Sequence, residues 1–203
     1  LTELFTEHAP IVFNGNGYTD EWPVEAEKRG LPNYKTTVEA LQHYSDPDVL
    51  DTFVRHGILT ERECLSRQEI LFENYAKTIA IEAAPASRIA RTQLMPAVLK
   101  AQGETAAIIN ATREAAGSVP QSEADYLTGF IATADEFLRS IHALDEARGI
   151  LAAASEAEQA ALAARDAVIP AMDACRACAD RLESIMSKDA WPLPSYADLM
   201  WTM

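Results

Sequence analysis

Residues 122–148 read SEADYLTGFIATADEFLRSIHALDEAR. Within that stretch Leu127, Phe130, Ala134, Phe137, Ile141 and Leu144 recur at alternating steps of three and four. This is the period of one helical face, and a seam so spaced packs against other helices rather than against a sheet. Ser122 starts the helix, and Gly149 with the run near Ser155 marks the turn after it. Beyond the turn Val168, Met172, Cys175, Ala179, Leu182 and Met186 repeat the spacing through Ser187, with Pro170 expected to bend the helix.

Working toward the N-terminus, Thr60-Glu61-Arg62-Glu63 is a capping box that opens a further long helix. Leu71, Phe72, Tyr75, Ile79, Ala83, Ala86, Ala90, Leu94 and Val98 form its face over about forty residues, until Gly103 weakens the pattern. A less regular continuation, Thr105 to Ala116, ends at Gly117 before Pro120. Pro85 and Pro96 each remove an amide donor and crowd the preceding turn, so kinks are expected there. Three long helices with short connections pack as antiparallel neighbours. The fold expected is all-α: an antiparallel up-and-down bundle of three long, proline-kinked helices over residues 61–203. Its C-terminal tail is extended at Trp191-Pro192-Leu193-Pro194, and Ser195 caps a last short helix holding Tyr196, Leu199 and Met200.

Residues 1–60 read as an N-terminal arm of short helices. Asn14-Gly15-Asn16-Gly17 is a turn, followed by a helix of about residues 22–29 with Thr19 as N-cap, Pro23 in its first turn and Gly30 as its stop. Thr37 is expected to cap a second short helix through Tyr44, and Asp46-Pro47 opens a third that ends at His56-Gly57. Leu1, Leu4, Phe5 and His8 fall at helical spacing before Ile11-Val12-Phe13. Such an apolar opening resembles the end of an element whose packing partner lies upstream, so the chain is expected to be a piece of a larger protein.

Composition supports this reading. The 203 residues can bury roughly 70% of their extended surface, enough for a core without disulfides or metal. Aromatic residues are only 7%, which favours close-packed helices over sheets. Asp and Glu number 31 against 17 Lys and Arg, and the resulting charge of −14 repels phosphate backbones and anionic lipid, so neither nucleic acid nor membrane is an expected partner. No stretch approaches the ~20 apolar residues that span a bilayer, and the opening residues show no basic patch followed by an apolar core and a small-residue cleavage site, so export is not expected. Three cysteines, Cys64, Cys175 and Cys178, are an odd set, two of them one helical turn apart, which fits a reducing cytoplasm better than a disulfide framework.

Chemistry-bearing patterns are sparse. Cys175-Arg176-Ala177-Cys178 has redox or zinc spacing, but four ligands are needed and Cys64 is the only further thiol, so the pair reads as small buried hydrophobes. A di-iron bundle needs Glu-x-x-His, which His8, His43, His56 and His142 all lack, and no motif joins any of them to a nucleophile. Gly15-Asn16-Gly17 is not followed by the Lys and Ser/Thr of a phosphate loop. Tyr18, Trp22 and Trp191 read as anchors for arm and tail rather than as ligand platforms. Catalytic, cofactor-binding and metal residues are therefore expected to be none in this chain.

The segment Phe13-Asn14-Gly15-Asn16-Gly17-Tyr18-Thr19-Asp20-Glu21-Trp22, then Glu25-Ala26-Glu27-Lys28-Arg29-Gly30-Leu31 and Lys35-Thr36-Thr37, resembles the type III glutamine synthetases. Leu59-Thr60-Glu61, Glu73-Asn74-Tyr75, Lys77-Thr78, Ile81-Glu82-Ala83 and Leu94-Met95-Pro96-Ala97-Val98 follow in the same order. Trp191-Pro192-Leu193-Pro194-Ser195-Tyr196 with Asp198-Leu199 resembles the family's C-terminal end, whereas residues from about 101 to 170 match in helical character alone. Pro85 departs from the family pattern. The resemblance implies the C-terminal region of an enzyme that joins ammonia to glutamate with ATP and a divalent metal, Mg or Mn. It also implies a homo-oligomeric ring with active sites between neighbouring catalytic domains. Partners would be the chain's own catalytic domain and neighbouring subunits, with the catalytic motifs upstream of Leu1. The rival reading is a free-standing helical module that binds a partner through an apolar groove.

Overall fold

A computed structural model describes residues 2–194 and 196–200, and all regular structure among them is helical. The chain divides into two compact units, Leu1–Cys64 and Leu65–Met203.

The first unit holds short helices: α1 (Thr2–Glu7), a 3-10 turn at Ala9–Ile11, α2 (Glu21–Lys28), α3 (Thr37–Gln42) and α4 (Pro47–Arg55). Asp20 rather than Thr19 occupies the N-cap of α2, because Thr19 turns its hydroxyl back to donate to the Asn16 carbonyl at 2.9 Å. The cap of α3 is Thr36, not Thr37. Thr36 and Glu39 form a reciprocal box in which the Thr36 hydroxyl accepts from the Glu39 amide at 3.2 Å and Glu39 Oε2 accepts from the Thr36 amide at 3.0 Å. Gly30 and Gly57, just past α2 and α4, have φ of +69° and +63°, the left-handed stop that favours glycine. Val38 and Ala26 are fully buried, while Leu4 and Phe5 of α1 remain exposed.

α5 (Glu61–Ile89) begins at the Thr60 box, where the Thr60 amide donates to Glu63 Oε2 at 2.8 Å and the Glu63 amide to the Thr60 hydroxyl at 3.3 Å. It passes through a π-turn at Ala90–Leu94 into α6 (Met95–Ala116) without a break, and Gly117, φ +75°, ends it. Gly103, expected to weaken the helix, lies inside α6 with open space where a Cβ would be. α7 (Gln121–Ala153) runs past Gly149, so the turn falls at residues 154–156. α8 (Ala157–Ala163), a second π-turn (Ala164–Val168) and α9 (Ile169–Ile185) form the third long run, which starts well before Val168. The segment at residues 191–194 is non-helical as expected, and α10 (Tyr196–Met200) follows. The proposed cap Ser195 lies outside the described residues.

The three prolines occupy two kinds of helical setting. Pro85 sits inside α5 without interrupting it. Pro96 and Pro170 each follow a π-turn, in which the Met95 amide reaches back five residues to the Ala90 carbonyl and the Ile169 amide to the Ala164 carbonyl. A proline ring in a regular helix presses on the carbonyl four residues back, and the wider turn accommodates it. Phe137, Ile141, Leu144, Val98, Val168 and Leu182 form the fully buried centre. Ala76, Ala83, Ala134 and Ala164 bring the backbones close around it. Leu71 and Ala86, placed on the buried face by sequence, are exposed, and Ser87 turns inward in place of Ala86.

Candidate functional site

In the first unit the Asn14–Gly17 turn is closed by its own aromatic neighbours. The Phe13 ring lies 4.7 Å from Trp22, tilted by 42°, and the Arg29 guanidinium sits 5.6 Å above it. Arg29 also donates to the Val12 carbonyl and to Glu25, both at 2.6 Å, and its hydrogen bond holds the Glu25 carboxyl below the usual range. A Cβ on Gly15 would stand 2.4 Å from Phe13 Cζ, so glycine is what lets the ring cover the turn. The Asn16 carboxamide oxygen accepts the Tyr18 amide at 3.0 Å. The Phe13 ring thus covers the Gly15 side of the turn, while a Cβ on Gly17 would meet open space, and the Lys and Ser/Thr of a phosphate loop do not follow in the sequence. Trp22 packs on Phe13 within the first unit, and Tyr18, also expected to be an anchor, is fully exposed.

The histidines are not brought to a common centre. His43 Nδ1 lies 2.8 Å from Asp46 Oδ2, with its ring stacked 4.3 Å from Tyr34. His8 precedes the 3-10 turn, His56 follows α4, and His142 is exposed on α7. Among the described residues no group of three or more His, Cys, Asp or Glu side chains is placed to hold a metal ion. Cys64, Cys175 and Cys178 are free thiols, all buried. Burial pushes the Cys175 thiol up, opposed by a hydrogen bond from Ser140, and Arg181 donates to Cys178 Sγ at 3.2 Å.

The long-helix unit contributes two features that periodicity did not reveal. The first is a carboxylate clasp. Asp145 of α7 accepts from the Ser87 hydroxyl of α5 at 2.5 Å, from Arg91 of the first π-turn, and from Arg148 at 3.0 Å. The Ser87 hydrogen bond, followed by those from the two arginines, holds the Asp145 carboxyl below its usual range despite partial burial. Ser87 and Asp145 are 58 residues apart, so no local motif announces the clasp.

The second is a cleft of about 360 Å³. Leu94, Phe137, Leu144, Met172, Ala179 and Trp191 are among its walls, and Arg176, Asp180 and Glu183 stand around it. Trp191 and Leu193 of the tail also pack on the core, as the anchoring expectation for Trp191 requires. Elsewhere Tyr126 donates to the Ile185 carbonyl at 2.9 Å and Arg181 pairs with Glu136 at 2.6 Å, fastening α9 to α7.

Residues 1–113 match the family model described as glutamine synthetase C-terminal domain. Over 204 residues the chain is 31% identical to a glutamine synthetase of Butyrivibrio fibrisolvens, an alignment covering 100% of the chain and 29% of that protein. It is 30% identical over 213 residues to a type-3 glutamine synthetase of Dictyostelium discoideum, covering 99% of the chain and 28% of the relative. A glutamine synthetase of Bacteroides fragilis is 28% identical over 213 residues, covering 100% of the chain and 28% of the relative. The chain thus spans less than a third of the length of the curated relatives it matches.

Proposed function

The chain belongs to the glutamine synthetase family, as its C-terminal domain, and from that premise we propose that it stabilises and helps assemble a type III glutamate–ammonia ligase without holding a complete catalytic site. The observation that carries this reading is the match along the whole chain to the C-terminal part of much longer glutamine synthetases. That match also weighs against a free-standing module.

ATP and a divalent metal, Mg or Mn, belong in this reading to the parent enzyme's catalytic domain. In this chain the turn that comes nearest to a phosphate loop is closed by Phe13, and no metal cluster forms among the described residues. Residues 1–60 are the end of the catalytic region and its connector, and residues 61–203 a three-helix antiparallel up-and-down bundle with its tail. Partners that descend one helix while ascending the next support this bundle. Ser87 meets Asp145, Ile109 shares a recess with Tyr126, Glu136 meets Arg181 and Tyr126 meets Ile185.

Assembly is supported by apolar side chains left in solvent along these helices. Ile70 and Ile81 of α5, Ile108 of α6 and Ile150 of α7 are all exposed, Ile81 to 71%. Exposed apolar surface of this kind is what subunit contacts cover. In the first unit Leu4, Phe5, Ile11 and Val12 are likewise open to a preceding catalytic domain. No helix among the described residues is long and apolar enough to cross a membrane, and a cytoplasmic location completes the reading. The catalytic part of the proposal is tested by titrating the purified chain with Mg-ATP in a calorimeter and assaying glutamine formation. A flat trace and no product are expected, and a saturable micromolar signal would overturn it.

A further inference from the structure

We propose that the cleft between the long helices and the Trp191–Pro194 tail is a binding site for a small amphiphilic cation, a compact apolar body carrying one ammonium group. At about 360 Å³ the cleft falls within the range of small-molecule sites, which are mostly apolar with a few polar groups at the edge. A second recess of about 330 Å³ shares Glu183, Trp191 and Leu193 with it, so these residues stand at the junction of the two. The π-turn Ala90–Leu94 supplies Ala90 and Leu94 to the wall, and π-turns within helices frequently mark functional sites.

Charge decides the occupant. Around the two recesses stand three carboxylates, Asp180, Glu183 and Asp198, and two cations, Arg176 and Lys188. Arg176 pairs with Asp180 at 3.5 Å and Lys188 with Asp198 at 2.7 Å. Among the described residues the exposed Glu183 side chain has neither an ion pair nor a hydrogen bond, and it lines both recesses together with Trp191. An ammonium head gains from both the carboxylate and the indole face, while an anion of the same shape is repelled. The site lies within Leu65–Met203.

The test is a titration of the 203-residue chain with butylamine, hexylamine, 1-hexanol and hexanoate, followed through the Met172 methyl resonance. Hexylamine is expected to shift that signal saturably and to bind about tenfold more tightly than butylamine, as two further buried methylenes require. Hexanoate should bind most weakly. Glu183→Gln, at an exposed position, should weaken hexylamine about two- to fivefold and leave hexanol unchanged. Ala179→Leu should fill the cleft and abolish hexylamine binding while the chain keeps its helical signal. The proposal is overturned if no probe saturates, if hexanoate matches hexylamine, if Glu183→Gln weakens hexanol equally, or if Ala179→Leu binds hexylamine undiminished.

Discussion

Asp145 accepts two hydrogen bonds from the run that faces α7, from Ser87 and Arg91, and its behaviour with pH follows from its partners. Hydrogen bonds from Ser87, Arg91 and Arg148 favour the ionised carboxylate, so its folded pKa lies below the unfolded value of about 3.9. A lowered pKa contributes stability that is fully present above the unfolded value and is lost as pH falls through the folded one. Asp145→Ala should therefore cost about 1–2 kcal/mol at neutral pH, discounted because the arginines reach solvent. In urea unfolding the gap to the parent chain should hold down to about pH 4 and narrow below it. A gap constant from pH 7 to pH 2 would show that lost packing, not charge, sets the cost. Sequence reading missed this residue because its Ser87 partner is 58 positions away, whereas the Thr60 box was legible, its two members being three apart.

At the scale of the element, Pro96 and Pro170 each sit two residues past a π-turn, in the segments ARTQLMP (residues 90–96) and ARDAVIP (residues 164–170). The buried spacing records the extra residue: Ala90, Leu94 and Val98 step by four twice, and so do Ala164, Val168 and the half-buried Met172. Tyr75, Ile79 and Ala83 make the same two steps of four before Pro85, where no π-turn forms, so this spacing alone does not announce the turn, whereas the alternation of threes and fours correctly marked Phe130 to Leu144 as core. Helix ends were less legible, since Gly103 and Gly149 lie inside helices whose tertiary packing outweighs the roughly 1 kcal/mol a glycine costs. A direct test removes the exposed Thr92. With Pro96 retained, the shortened turn presses the ring on a carbonyl, at about 3 kcal/mol. Combining the deletion with Pro96→Ala should recover much of the lost melting temperature. Equal melting of the two variants would mean that the π-turn exists for some reason other than the proline.

For the whole molecule, the family was legible in Phe13 to Trp22 because a turn closed by its own aromatic ring constrains several residues at once, with Gly15, Trp22 and Arg29 each against the Phe13 ring. The amphiphile cleft was not legible, since its walls come from α5, the first π-turn, α7, α9 and the tail together. The run from Glu61 to Ala116 alone extends roughly 80 Å at 1.5 Å per residue, far beyond the width of a small domain, and it carries Ile70, Ile81 and Ile108 exposed. If those side chains form subunit contacts, the parent enzyme depends on this region for its size. The most direct measurement is light scattering of the parent enzyme lacking residues 61–203, with its catalytic domain shown to be folded. Species smaller than the intact assembly are the expected result, and a full-size particle from the truncated enzyme would contradict the assembly role.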